Sequence, residues 1–98
     1  MEKFNDIISS DKPTLVDFFA TWCGPCQAQI HILSELKEEI GDKATILKID
    51  VDKNQELAVQ FRVMSVPTLI IFKSGNVIWR ESGLHDKDSL VKVINNIL

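Results

Sequence analysis

The chain has 98 residues, 45% hydrophobic and 26% charged, which suits one globular domain and leaves no room for a second. A net charge of −3 and a pI near 5.2 leave no basic footprint for nucleic acid or an anionic membrane. No apolar stretch approaches the roughly 18–20 residues that cross a bilayer, and the polar opening MEKFNDIISSDKP lacks the features of a secretory signal, so a cytoplasmic location is expected.

EKFNDIISS places Phe4, Ile7 and Ile8 at the i, i+3, i+4 spacing of a short amphipathic helix. TLVDFFA, residues 14–20, is an apolar run holding a single acid, Asp17, and reads as a strand covered on both faces. A cysteine turn follows, then a helix with Pro25 in its first turn, where the missing N–H would have no intrahelical partner anyway. Ile32, Leu33, Leu36 and Ile40 form its apolar stripe, and Gly41 its stop. ATILKIDV, residues 44–51, is a second strand rich in β-branched residues. DKNQELAVQFRV predicts a helix with Leu57 and Phe61 on one face and Asp52 or Asn54 as its cap. PTLIIFK and NVIWRES are strands joined by the turn pair Ser74-Gly75. The tail sets Leu90, Val93, Ile94 and Ile97 at helical spacing behind Asp86. The order α-β-α-β-α-β-β-α predicts an α/β fold of one domain, 1–98, with a central mixed sheet of about four strands and helices on both faces.

The only two cysteines form Cys23-Gly24-Pro25-Cys26, between a buried strand and a helix. A cysteine at a helix N-terminus meets unpaired N–H groups and the positive end of the macrodipole, both of which favour the thiolate. Cys23, at the mouth, is therefore the expected nucleophile. Cys26, one turn inside, is near enough to close an intramolecular disulfide and more shielded. One sulfur attacking and the other resolving is the chemistry of thiol–disulfide exchange. Plain core packing does not explain two cysteines at one corner, and a four-residue loop gains little from a stapling disulfide. Structural zinc needs about four ligands. Only His31 and His85 remain to supply them, without finger spacing, so no metal site is expected.

Asp17 is the anomaly of the first strand. A lone buried carboxylate costs several kcal/mol unless it is paired or takes up a proton, so its pKa should be raised. Six residues before Cys23, it would serve Cys26 as a proton acceptor through water if it lies behind the pair. At a half-exposed sheet edge it would have no such role. Trp22 offers a flat apolar platform beside the nucleophile; a half-buried core aromatic is the plainer account.

FATWCGPC, with the preceding LVDF, the later SVPT and the closing Ser82-Gly83, resembles the thioredoxin family in order and spacing from about Lys12 to the C-terminus. That resemblance implies a thioredoxin-like fold and a protein-disulfide reductase. It would have no bound cofactor beyond the redox-active Cys23–Cys26 disulfide. Disulfide-containing proteins would be its substrates, and a thioredoxin reductase, NADPH-dependent, its electron source. It implies the acceptor role for Asp17 and makes Lys48 the partner of that acid, where the residue alone reads equally well as a solvated lysine. It also implies a cis Val66-Pro67 bond that presents the Val66 backbone to a substrate chain, where the sequence alone suggests an ordinary strand-entry proline. Trp22, Gly24, Pro25, Met64, Val66, Gly83 and Leu84 would then rim an apolar patch suited to many extended polypeptides.

The chain departs from the family pattern in three places. The usual N-terminal strand before the first helix is not evident, which would make 44–51 an edge strand and leave room for a weak edge-to-edge dimer of an otherwise monomeric protein. His31 stands where a helix-bending proline is usual, so a straighter helix is expected. It lies roughly 12 Å along the axis from Cys23 and about 140° around from Cys26, so its role is structural rather than catalytic. Phe19 and Gln27 replace a common Trp and Lys; losing the positive charge beside Cys26 should shift the potential modestly. DVDKNQE, residues 50–56, opens like a calcium loop but has Gln55 and Phe61 where such a loop needs Gly and Glu. His85 reads as a solvated turn residue. Two rival readings are an oxidase or isomerase of the same fold, against which the Gly-Pro dipeptide argues, and a non-catalytic binding subunit, against which the cysteine pair and the buried acid argue.

Overall fold

In the computed structural model residues 2–98 are described, all but the side chain of Glu2. The elements are α1 (Glu2–Ile8), β1 (Thr14–Phe19), α2 (Gly24–Ile40), a 3-10 turn at Gly41–Lys43, β2 (Thr45–Asp50), α3 (Gln55–Gln60), β3 (Thr68–Lys73), β4 (Asn76–Ser82) and α4 (Lys87–Ile97). The sheet order is β2-β1-β3-β4, with β1 parallel to β2 and antiparallel to β3, and β4 returning antiparallel to β3. The mixed four-stranded sheet between helices is therefore as expected, and among the described residues β2 is an edge strand.

Strand alternation sorts the core into two layers. Leu15, Leu69 and Ile71 point to one face, where Leu33, Leu36 and Ile40 of α2 and Leu90 and Ile94 of α4 cover them. Val16, Phe18, Ile70 and Phe72 point to the other, against Phe4 and Ile8 of α1 and Leu57 of α3. This is why β1 and β3 read as unbroken apolar runs: both of their faces are buried.

The ends of the elements are set by local chemistry. Gly41 stops α2 at φ 56, its N–H donating to the Lys37 carbonyl. Ser74 and Gly75 both take positive φ, 53 and 82, as a two-residue hairpin turn of primed type demands. Asp86 caps α4 by accepting the Ser89 N–H at 2.8 Å. α2 runs without a break through exposed His31.

α3 differs from the expectation. It ends at Gln60, and Phe61 is its C-cap rather than a residue of its face. The ring is still apolar core, with its centroid 5.2 Å from that of Phe72 and 5.8 Å from that of Phe4. Arg62 then takes a left-handed φ of 51, turning the chain away. Asn54 holds the N-cap position, but its side chain makes no capping bond and donates instead to the Asp50 carbonyl at 3.0 Å. Asp52 is not the cap.

Candidate active site

The cysteine turn is built by the junction of β1 and α2. The Cys23 N–H donates to the Ala20 carbonyl at 3.2 Å, closing the turn as it leaves the strand. Cys23 is extended (φ −90, ψ 117) and occupies the N-cap of α2, where its Sγ accepts the Cys26 N–H at 3.2 Å. That is the position a serine or aspartate commonly fills, with sulfur in place of oxygen. Gly24 and Pro25 open the helix, Pro25 in the first turn, where a donor is dispensable. Cys23 and Cys26 are joined as a disulfide with Cα atoms 5.3 Å apart. Cys23 is 6% exposed and Cys26 fully buried.

Val66 faces Cys23 from across the site. Its carbonyl oxygen lies 3.7 Å from the Cys23 Sγ, and the bond it forms with Pro67 is cis. The Pro67 carbonyl accepts the Gly83 N–H at 2.8 Å, which ties the segment after β4 to the same corner. Trp22 is 72% exposed, so it is not a core aromatic. Its indole Nε1 donates to Asp52 Oδ2 at 3.0 Å. Trp22, Val51, Val63, Met64, Ser65 and Val66 line a hollow of about 160 Å³. Met64 on its rim is 91% exposed and Val66 half-buried; Leu84, outside the hollow, is 51% exposed. A larger hollow of about 520 Å³, between α2 and β2, is lined by His31 and Lys48 and by neither cysteine.

Asp17 shares its strand face with Leu15, two residues back, and Leu15 packs under Leu33 and Leu36 of α2. Because α2 folds back over β1, the acid sits under the same helix, nearer its cysteine end. It is fully buried, and neither carboxyl oxygen has a hydrogen-bond partner among the described residues. Burial pushes its pKa from 3.8 up to about 6; the Lys48 charge opposes this, pulling downward. Lys48 is exposed on β2 and is the register partner of Asp17, with Leu69 on the other side.

Two residues have places in the site that the sequence did not give them: Gln29, which was not singled out, and Asp52, which was read only as a helix cap. Gln29 is fully buried one turn beyond Cys26, and its amide grips the backbone of residue 85: Oε1 accepts the His85 N–H at 2.9 Å and Nε2 donates to the His85 carbonyl at 3.1 Å. A signal for it existed, since Cys26, Gln29, Leu33, Leu36 and Ile40 form one helical stripe with a single amide in it. Asp52 carried no such signal, because its partner Trp22 lies 30 residues away. His85 is the correction that follows. It is half-buried rather than solvated, because Gln29 holds its backbone, its ring stands edge-on to Trp79 at 5.5 Å, and its Nδ1 lies 3.0 Å from the Gly83 carbonyl.

No cluster of three or more metal-ligating side chains occurs among the described residues, and no helix there is long and apolar enough to cross a membrane. The geometry is that of a redox-active cysteine pair: one sulfur on a helix cap in a residue that keeps slight exposure, one in a fully buried residue, and a carboxyl with a raised pKa beneath the same helix.

A family profile described as Thioredoxin matches residues 1–96. The thioredoxin of Staphylococcus saprophyticus is 47% identical over 95 residues, covering 97% of this chain and 90% of that protein. A bifunctional thioredoxin reductase/thioredoxin of Mycobacterium leprae is 42% identical over 95 residues; the match covers 97% of this chain but only 21% of that longer protein. Among solved structures, a mutant thioredoxin from Halobacterium salinarum superposes with a TM-score of 0.90 at 38% identity, over 99% of this chain and 84% of that one.

Proposed function

The chain belongs to the thioredoxin family, and from that premise we propose how its cysteine pair divides the work. It is a protein-disulfide oxidoreductase acting by dithiol–disulfide exchange through Cys23 and Cys26. As in the family generally, its substrates are disulfide-bearing proteins and its reducing partner a thioredoxin reductase.

Cys23 is the nucleophile. The observation that carries this assignment is the asymmetry of the pair: Cys23 Sγ sits on the helix cap, accepting a backbone N–H, and its residue keeps 6% exposure, while Cys26 is fully buried. In the dithiol form the Cys23 thiolate attacks one sulfur of a substrate disulfide. That S–S bond breaks, its other sulfur leaves as a thiolate and takes up a proton, and a Cys23–substrate mixed disulfide remains. Cys26 then gives its proton through water to Asp17, attacks the Cys23 sulfur and expels the second substrate thiolate. Two electrons have passed to the substrate, and the Cys23–Cys26 disulfide has formed. The reductase, with NADPH as the ultimate donor, restores the dithiol.

The remaining roles follow from position. Lys48, opposite Asp17 in register, limits how far the acid's pKa rises. Gly24 and Pro25 hold the short turn between the sulfurs. The Val66 backbone, fixed at cis Pro67, pairs with a docking chain, and Trp22, Met64, Gly83 and Leu84 supply the apolar contacts beside it. Residues 1–98 work as one domain, a reading supported by the family match over residues 1–96, and we place it in the cytoplasm as a monomer.

The test is trapping. Cys26→Ser should accumulate the mixed disulfide on Cys23, visible by mass after quenching with acid. If Cys23→Ser accumulates it instead, the roles of the two sulfurs are reversed.

A further inference from the structure

A primary amide carries the same donor–acceptor pair as a peptide group. When Gln29 accepts the His85 N–H at 2.9 Å and donates to the His85 carbonyl at 3.1 Å, it pairs with that residue as a rung of a neighbouring strand would. Only one orientation of the amide satisfies both bonds, and the Gln29 side chain that makes them is fully buried. A carboxylate could accept but not donate. A thioether could do neither.

What the amide holds is the segment that follows β4. The Gly83 N–H donates to the Pro67 carbonyl at 2.8 Å, the Gly83 carbonyl lies 3.0 Å from His85 Nδ1, and Leu84 stands exposed between these two fixed points. The clamp therefore joins two parts of the site that the chain separates by 56 residues: the helix bearing the cysteines and the loop bearing Gly83 and Leu84. Gly83–Asp86 has no regular structure, and its second anchor is the Gln29 amide.

We propose that Gln29 is a positioning residue for exchange with protein substrates, fixing the Gly83–His85 backbone against the cysteine helix so that a docking polypeptide meets Leu84 and the Val66 backbone at one spacing. This rests on the exchange reading above and names what that reading left unassigned, the device that sets the width of the docking site. Both side-chain hydrogen bonds of Gln29 go to residue 85, through which it acts.

The test compares a protein disulfide, insulin, with a small one, 5,5′-dithiobis(2-nitrobenzoate), which has no chain to dock. Gln29→Met keeps the volume and removes both bonds. The ratio of kcat/KM for insulin to that for the small disulfide should fall about ten-fold, with the loss falling on KM. The His85 amide should also lose its protection from hydrogen exchange. A ratio within two-fold of the wild-type value would overturn the proposal.

Should Gln29→Met not fold, Gln29→Glu decides the matter by pH. The introduced carboxyl, neutral while protonated, restores both bonds, with O–H donating to the His85 carbonyl and C=O accepting its N–H. Once ionised it can only accept. The insulin-to-small-disulfide ratio should then be near wild type at low pH and fall as pH rises through the carboxyl's pKa, which burial places above 4.3. A ratio independent of pH would sink the clamp. If Cys26→Ser traps no mixed disulfide, the exchange reading fails and the clamp fails with it. If trapping is normal and the ratios do not move, the clamp alone is wrong.

Discussion

Asp17 is buried without a hydrogen-bond partner among the described residues, and its pKa stands near 6 where an unfolded aspartate has 3.8. A group whose folded pKa is raised holds more protons in the folded state than in the unfolded one between those two values. Stability must therefore fall as pH rises through the window from about 4 to about 6, and stay lowered above it. At 1.36 kcal/mol per pH unit, the difference between 3.8 and about 6 amounts to about 3 kcal/mol of lost stability at neutral pH. Replacing the acid by its neutral isostere, Asp17→Asn, removes the titration but leaves an amide with its own burial cost. The informative quantity is therefore a difference of differences. The stability of Asp17→Asn relative to wild type, from urea unfolding of the oxidised proteins, should be about 2–3 kcal/mol more favourable at pH 8 than at pH 4. The constant cost of the amide cancels in that comparison. Parallel stability curves from pH 4 to pH 8 would refute the reasoning, since they would mean that Asp17 titrates alike in both states.

Lys48 is the one charge that pulls this pKa down, so Lys48→Met should move the midpoint of the pH-dependent loss above about 6; an unmoved midpoint removes Lys48 from the site. In the kinetics, Asp17→Asn should slow release of the mixed disulfide more than its formation, measured by stopped flow on each half-reaction. Equal rates for resolution would take the acid out of the mechanism. The Cys23–Cys26 potential, measured against thiol buffers, should lie near or below about −250 mV, the reducing range for which the family is known, whereas a value above about −200 mV would favour the oxidase reading. Arg62 holds a left-handed φ of 51 without being glycine, at a turn whose Phe61 and Arg62 carbonyls both accept from the Arg80 guanidinium. Arg62→Gly should raise stability by about 1 kcal/mol in urea titrations, and no gain would mean that glycine's greater freedom in the unfolded chain cancels the relief of strain.

Sequence patterning made the layers legible. Leu15, Val16 and Phe18 are apolar on both strand faces, which only a strand covered twice requires, and Gly41, Ser74-Gly75 and Asp86 mark element ends by chemistry that acts within a few residues. The cysteine site was legible for the same reason: a cap, a turn and a helix start are local. The errors fall where a contact spans the chain. Phe61 obeyed helical spacing from Leu57, yet its ring packs with Phe4 and Phe72, and the chain turns at Arg62 instead of continuing α3. Asp52 looked like a cap because nothing nearby announces Trp22. His85 looked solvated because the amide that pins it comes from α2. Spacing tells which residues are buried more reliably than it tells which partners they meet.

The buried polar residues separate structure from chemistry. Among the described residues, four side chains that are polar or charged lie in the core: Thr14, Asp17, Gln29 and Thr68. Thr14 donates to the Ile7 carbonyl, Thr68 to the Ser65 carbonyl, and Gln29 bonds residue 85 twice. Each of these offsets its own desolvation and in doing so fixes one segment to another. Asp17 alone offsets nothing, and burial moves its pKa toward neutrality. A carboxyl satisfied by donors would sit well below 4 and hold its charge too firmly to accept a proton at pH 7. One left bare, with a lysine in register to stop the rise near 6, is balanced to take up a proton when a buried thiol must lose one. The destabilisation calculated for Asp17 and the acceptor role proposed for it thus have the same physical origin, and removing one should remove the other.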